Sequence, residues 1–324
     1  MTEDVSLIMN PGRAADRCYC EALHHSPTQR GTSLVMKRSN QLTFATLAIV
    51  ALTTGLTDTA VATPITFSVG GNNTAASIQS TVDAFRNAAG NPVNPNVAGS
   101  FPSGRREINW DGVPNGFAAP NNLPNNFFNA NSPRGAEFST PGTAVQVSAN
   151  AGIDAVEFGT INPTYPDLFA TFSPQRLFTA IGSNIVDINF FVSGSSTPAA
   201  VSAFGSVFTD VDLANTTKIE YFDPSGSLLT SIFAPVGTTG NESLSFAGVA
   251  FNAGEQIARV RITNGNTALG AGVNEIGSLD LVVMDDFIYA EPQARVSAVP
   301  EPTTLILMMT GLAALALSRQ LRRQ

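Results

Sequence analysis

An all-β, antiparallel fold, a jelly-roll-like β-sandwich, is the class this sequence predicts. Short runs rich in Val, Ile, Phe and Thr alternate with polar residues, as half-buried strands do. Gly, Asn, Pro and Asp separate the runs at intervals of roughly 8–14 residues, the spacing of a sandwich or barrel. A helical period adds one short N-terminal helix to the body, and an apolar run at the far end adds a C-terminal single membrane helix.

The body is taken as residues 63–292. It opens with "ITFSVGG" from Ile65, an edge or first strand. "AASIQSTVDAFRNAAG" follows, where Ala75, Ile78, Val82 and Phe85 recur at helical steps and Gly90 supplies a stop. Residues 91–133 form a long Asn/Pro/Gly-rich loop region. Trp110, Phe117, Phe127 and Phe128 are embedded in it, so the loop is expected to be an ordered excursion across one face and not a free linker. From Ala136 onward the strand runs are "AEFST", "AVQVSA", "AVEFG", "RLFTAI", "IVDINFFVSG" and "VSAFGSVFTDV". They continue as "TKIEYFD", "SLLTSIFA", "ESLSFAGVAF", "IARVRITN" and "LDLVVMDDFIYAEP". "DPSG" from Asp223 to Gly226 reads as a hairpin turn.

Composition removes whole classes of chemistry. The chain has 324 residues and a formal net charge of −8, and its two cysteines (Cys18, Cys20) and two histidines (His24, His25) precede the body. The body therefore offers no imidazole base, no thiol nucleophile and no thiolate or imidazole metal site. From Thr63 to Val299 one lysine, Lys218, and eight arginines stand against nineteen carboxylates. Such an acidic surface speaks against nucleic acid as a partner. Carboxylates are the remaining reactive groups.

The ends carry signals of another kind. Residues 1–35 read as a mis-called start or a disordered leader, and residues 36–62 as a signal peptide. In the latter, Lys37 and Arg38 precede an apolar stretch from Leu42 to Leu56, and Ala60 and Ala62 fit the small-x-small rule for signal peptidase. Residues 293–298 are a linker. Residues 299–324 begin with Val299, Pro300, Glu301 and Pro302, run apolar from Thr303 to Leu317, and end with Arg319, Arg322 and Arg323. As a helix the apolar run spans roughly 22 Å against a hydrocarbon core of about 30 Å, so the arginines must snorkel on the cytoplasmic side.

The order Val299-Pro300-Glu301-Pro302, apolar helix with Gly311-Leu312, basic cluster resembles the PEP-CTERM sorting signal. The resemblance implies recognition of Pro300, Glu301 and Pro302 by exosortase, a membrane protease-transpeptidase. It further implies a transient inner-membrane intermediate with the body in the periplasm, then delivery to the cell surface or extracellular matrix. "FGSVFTDVD" with "TKIEYFDPSG", and the closing "VVMDDFIYAEP", are loosely similar to the secreted β-sandwich of many such proteins and to carbohydrate-binding jelly rolls.

Two groups of candidate site residues follow. Asp210 with Asp212, and Asp285 with Asp286 below Asp280, are oxygen donors suited to a structural calcium, the one cofactor considered. The competing reading is a salt bridge, with Arg259 and Arg261 as partners, or a solvated strand end. Strand alternation predicts that Asp285 and Asp286 face opposite sides. Trp110, Tyr165 and Tyr221 are candidate glycan contacts, and the competing reading of Trp110 is a packing anchor. Glu107 and Asp111 flank Trp110 as a conceivable glycosidase pair, and Arg105-Arg106 read as a solvated basic cluster. The first functional expectation is a non-enzymatic, exported structural or interaction protein. A secreted module binding extracellular polysaccharide and, more remotely, a glycan-active hydrolase are the alternatives.

Overall fold

The structure, a computed structural model, describes residues 63–295, Leu312 and residues 319–322. In chain order its strands begin with β1 (Ile65–Gly70), β2 (Arg105–Ile108), β3 (Ala136–Ser139), β4 (Ala144–Val147), β5 (Phe178–Ile181), β6 (Ile185–Phe190) and β7 (Ala199–Ala200). The second half has β8 (Ala203–Thr209), β9 (Lys218–Phe222), β10 (Leu228–Phe233), β11 (Leu244–Ala250), β12 (Arg259–Thr263), β13 (Val283–Ala290) and β14 (Gln293–Ala294). The α-helices of the body are α1 (Gln79–Ala89) and the single turn α2 (Phe127–Ala130).

The larger sheet runs β1-β11-β8-β13-β5-β4, with β2 also paired to β13; the second runs β10-β9-β12-β6-β3. All of these strand pairs are antiparallel. In β9 and β12 every second residue is buried, and those side chains (Ile219, Tyr221, Val260, Ile262) join the common core. Rings bridge the two sheets: Phe138 of β3 lies 5.0 Å from Phe178 of β5, and Phe190 of β6 lies 5.4 Å from Tyr289 of β13. Each such fully buried ring contributes on the order of 2–3 kcal/mol of apolar transfer.

Strands β8, β11 and β13 are buried along their whole length. Their outer face is covered by α1, whose buried Val82 and Phe85 arise from the helical period seen in the sequence. Gly205 and Gly248 stand opposite each other in register beneath the Phe85 ring. A Cβ on either would come within 2.9 Å of that ring, so the glycines make room for the helix. Gly90 ends α1 at φ 118, a conformation only glycine adopts without strain.

The excursion over residues 91–133 is ordered, and it contains β2, which the sequence did not suggest because Asn, Pro and Gly surround it. "AVEFG" forms no strand: Val156 makes one isolated bridge to Ala149, and Glu157 and Phe158 turn the chain at φ 49 and 63. The expected linker starts late, since Gln293 and Ala294 pair with β7. No helix among the described residues is long and apolar enough to cross a membrane. Residues 1–62, with Ala60 and Ala62, lie outside the described residues, as do Val299, Pro300, Glu301, Pro302, Arg323 and nearly all of the expected membrane helix. Arg319 and Arg322 are described and exposed.

Candidate functional site

The five aspartates read as one possible calcium set fall into two separate centres. At the first, β13 carries one extra residue between Met284 and Phe287 against β8, a bulge that breaks strand alternation. Asp285 and Asp286 are consequently both buried, which corrects the expectation that one would face outward. Asp285 Oδ2 accepts the backbone N–H of Phe172 at 2.6 Å and of Ser173 at 3.1 Å. The Ser173 hydroxyl donates to Asp286 Oδ1 at 2.7 Å, and Asp286 Oδ2 lies 3.4 Å from the Arg86 guanidinium. Arg86 also grips Glu107 through two nitrogens, each at 3.2 Å. Burial, then the Asp286 charge, raises Asp285 well above the carboxylate range; burial pushes Asp286 up to about 6 against the opposing pull of Ser173 and Arg86. Donors within the chain occupy this centre. The predicted partners Arg259 and Arg261 are elsewhere, both on Asp187 of β6, at 2.7 and 2.8 Å.

The second centre lies at the end of β8. Asp210, Asp212 and Glu275 place one carboxylate oxygen each within 4.8 Å of one another. Asp280 stands behind them: it accepts the Asp212 N–H at 3.0 Å and the Thr216 hydroxyl, while its own N–H donates to Asn266 at 3.0 Å. Glu275 accepts the Leu281 N–H at 2.9 Å. Asp210 is fully buried, yet neither of its carboxylate oxygens has a hydrogen-bond partner. Burial first, then the charges of Glu275, Asp212 and Asp280, pushes its pKa up to about 10. Glu275 went unnoticed in the sequence because "GVNEIGSLD" has no ligand spacing; only folding brings it to the end of β8.

The aromatic candidates for glycan contact are core residues. Trp110 stacks on Phe178 at 4.1 Å and donates its indole N–H to the Asp285 carbonyl at 2.9 Å. Tyr165 donates its hydroxyl toward the Gly270 and Val273 carbonyls, 3.0 Å from each. The Tyr221 hydroxyl reaches the Phe204 carbonyl at 3.1 Å. None of the three rings is more than 1% exposed, so none can stack on a sugar. Large rings gain most by leaving water, and each found a carbonyl for its polar atom. Glu107 and Asp111 are each held by other partners: Glu107 by Arg86 and Arg105, and Asp111 by the N–H groups of Gln175 and Arg176, which it accepts. The Arg105-Arg106 pair is buried in β2, Arg106 against Glu291 at 2.5 Å, instead of lying on a solvated loop. A cleft of about 330 Å³ opens beside Trp110, lined by Val113, Phe117, Phe127, Phe128 and Arg134.

The C-terminal residues decide the one assignment a comparison supports. Residues 298–323 match the family model described as the PEP-CTERM protein-sorting motif. The chain carries a PEP-CTERM sorting motif. That motif implies export through the membrane to the cell surface and processing by exosortase. No curated protein and no solved structure matches the chain, so the chemistry of its body rests on its own geometry.

Proposed function

We propose that the chain is an exported, non-catalytic protein of the cell surface or extracellular matrix, structural or interacting in role, whose β body is cargo for the C-terminal sorting motif. The motif at residues 298–323 is the observation that carries this reading. Its route is a brief stay in the inner membrane by the apolar run 303–317, with the body in the periplasm, before exosortase acts near Pro300, Glu301 and Pro302. The body is a sandwich of two antiparallel sheets. Take β5, β6, β8, β9, β10, β11, β12 and β13 as strands one to eight. The sheets then read six-three-eight-one and five-four-seven-two, the order of a jelly roll. Replacing Pro300, Glu301 and Pro302 by alanine should leave the chain uncut in the inner membrane, as read by fractionation and intact mass. Normal surface delivery of that variant would overturn the reading.

Carbohydrate binding is the second reading, and the cleft beside Trp110 is what favours it. Its volume is in the range of small-ligand sites, and Phe117, half-buried at its wall, is the ring left to meet a sugar. Affinity electrophoresis against the host's exopolysaccharide would show retardation lost in Phe117→Ala. Equal mobility of the two proteins would remove this reading.

A further inference from the structure

The two acidic centres differ in one respect that hydrogen bonding within the chain does not explain. Every buried oxygen at the β13 bulge faces a donor, whereas Asp210, completely buried, presents two bare oxygens to Asp212 and Glu275. A buried carboxylate without donors is costly, and native proteins relieve it with a proton or a cation. No lysine or arginine nitrogen lies within 4.0 Å of Asp210, Asp212, Glu275 or Asp280 among the described residues. The described residues therefore bring no cation of their own to this centre.

We propose that Asp210, Asp212 and Glu275 bind one hard divalent cation, calcium by the chemistry of their donors, with Asp280 holding the two loops in place behind them. The ligands come from both sides of a loop junction: Asp210 and Asp212 follow β8, and Glu275 precedes β13. Asp280 is the staple between them, since it takes the Asp212 N–H on one oxygen and the Thr216 hydroxyl on the other. That commitment leaves Asp280 no free role as ligand, while Asp212, Asp210 and the second oxygen of Glu275 remain open. All donors are hard oxygens, which select calcium or magnesium and not a soft transition metal. Carboxylates supply part of the six to eight oxygens that calcium takes, and the half-buried sides of Asp212 and Glu275 leave water to supply the rest. The alternative is a proton shared between Asp210 and Glu275. It neutralises one charge and leaves Asp212 beside the remaining one.

The inference is independent of the sorting motif and stands or falls in solution. The full chain, stripped with a chelator, is heated in CaCl₂ and in NaCl of equal ionic strength, and weighed by native mass spectrometry. For a dissociation constant of about 1 mM, 10 mM calcium raises the midpoint by about 3 °C, with one calcium per chain. Asp210→Asn and Asp212→Asn abolish both the shift and the adduct, whereas Asp286→Asn keeps them. Asn tolerates the φ of 69 at position 210, and the half-buried Asp212 carries the test if the first variant fails to fold. Absence of a calcium-specific shift and adduct in the unmodified chain would mean that a shared proton suffices, and the proposal falls. A shift that survives both Asp210→Asn and Asp212→Asn places the ion elsewhere and overturns it equally.

Discussion

Two acidic clusters, one on β13 and one in the loops just past the end of its partner β8, handle burial in opposite ways. At the β13 bulge, Asp285 and Asp286 meet two backbone N–H groups, a serine hydroxyl and Arg86. At the end of β8, Asp210 meets only other carboxylates. Both clusters contain buried aspartates with raised pKa values, so neither burial nor the direction of the shift separates them. Counting donors does. A partnered cluster is part of the fold, and an unpartnered one is a demand for a ligand or a proton.

The comparison breaks most visibly at Asp285. Asp285→Ala strands the N–H groups of Phe172 and Ser173 in the interior. Loss of about 3 kcal/mol and roughly 6 °C in thermal midpoint is expected in denaturant and heat unfolding. A change below about 1 kcal/mol would mean the bulge is held by packing alone. Next comes Arg86→Leu, which leaves Glu107 and Asp286 facing each other without their shared cation. It should cost about 2 kcal/mol, and an unchanged urea midpoint would show the ion pairs are idle.

The sign reverses at the other cluster. Asp210→Asn removes a buried carboxyl that the apo fold must hold protonated at neutral pH and that has no donor to lose, so the chelated chain should gain on the order of 1 kcal/mol in the same unfolding experiment. A loss there would mean that Asp210 has a partner after all. The smallest effect concerns Glu157, which burial, with Glu242 nearby, pushes up to about 7. Below an unfolded value near 4.5 both states hold the proton; between 4.5 and about 7 only the folded state does. Stability from this group therefore falls as pH rises through that window and is level above it. Glu157→Gln should raise the unfolding free energy at pH 8 by on the order of 1 kcal/mol, after allowing for its partial exposure, and leave the midpoint unchanged at pH 4. Equal midpoints at both pH values would show that the site is better solvated than its neighbours suggest.

Much of the architecture was legible because strands and helices advertise themselves locally. Val82 and Phe85 at helical steps, the alternation in "KIEYF" and the Asp-Pro-Ser-Gly turn each depend on residues close in the chain. The misses share one cause. Strand β2 is four residues long and owes its existence to β13, about 180 positions away, so no local pattern announces it. Trp110, Tyr165 and Tyr221 look equally fit for a sugar or a core, and only their neighbours choose.

From composition and pattern alone came the antiparallel β class, the absence of histidine and cysteine chemistry from the body, and the sorting motif, which is a linear signal and needs no fold to be recognised. Tertiary structure alone decided which carboxylates are paired. An aspartate has the same formula at positions 210 and 285. Whether it is satisfied depends on backbone donors and cations that arrive from distant segments, Phe172 and Ser173 in one case and none in the other. In a low-dielectric interior that difference in partners, and not the residue type, sets whether a buried charge is structural or a site.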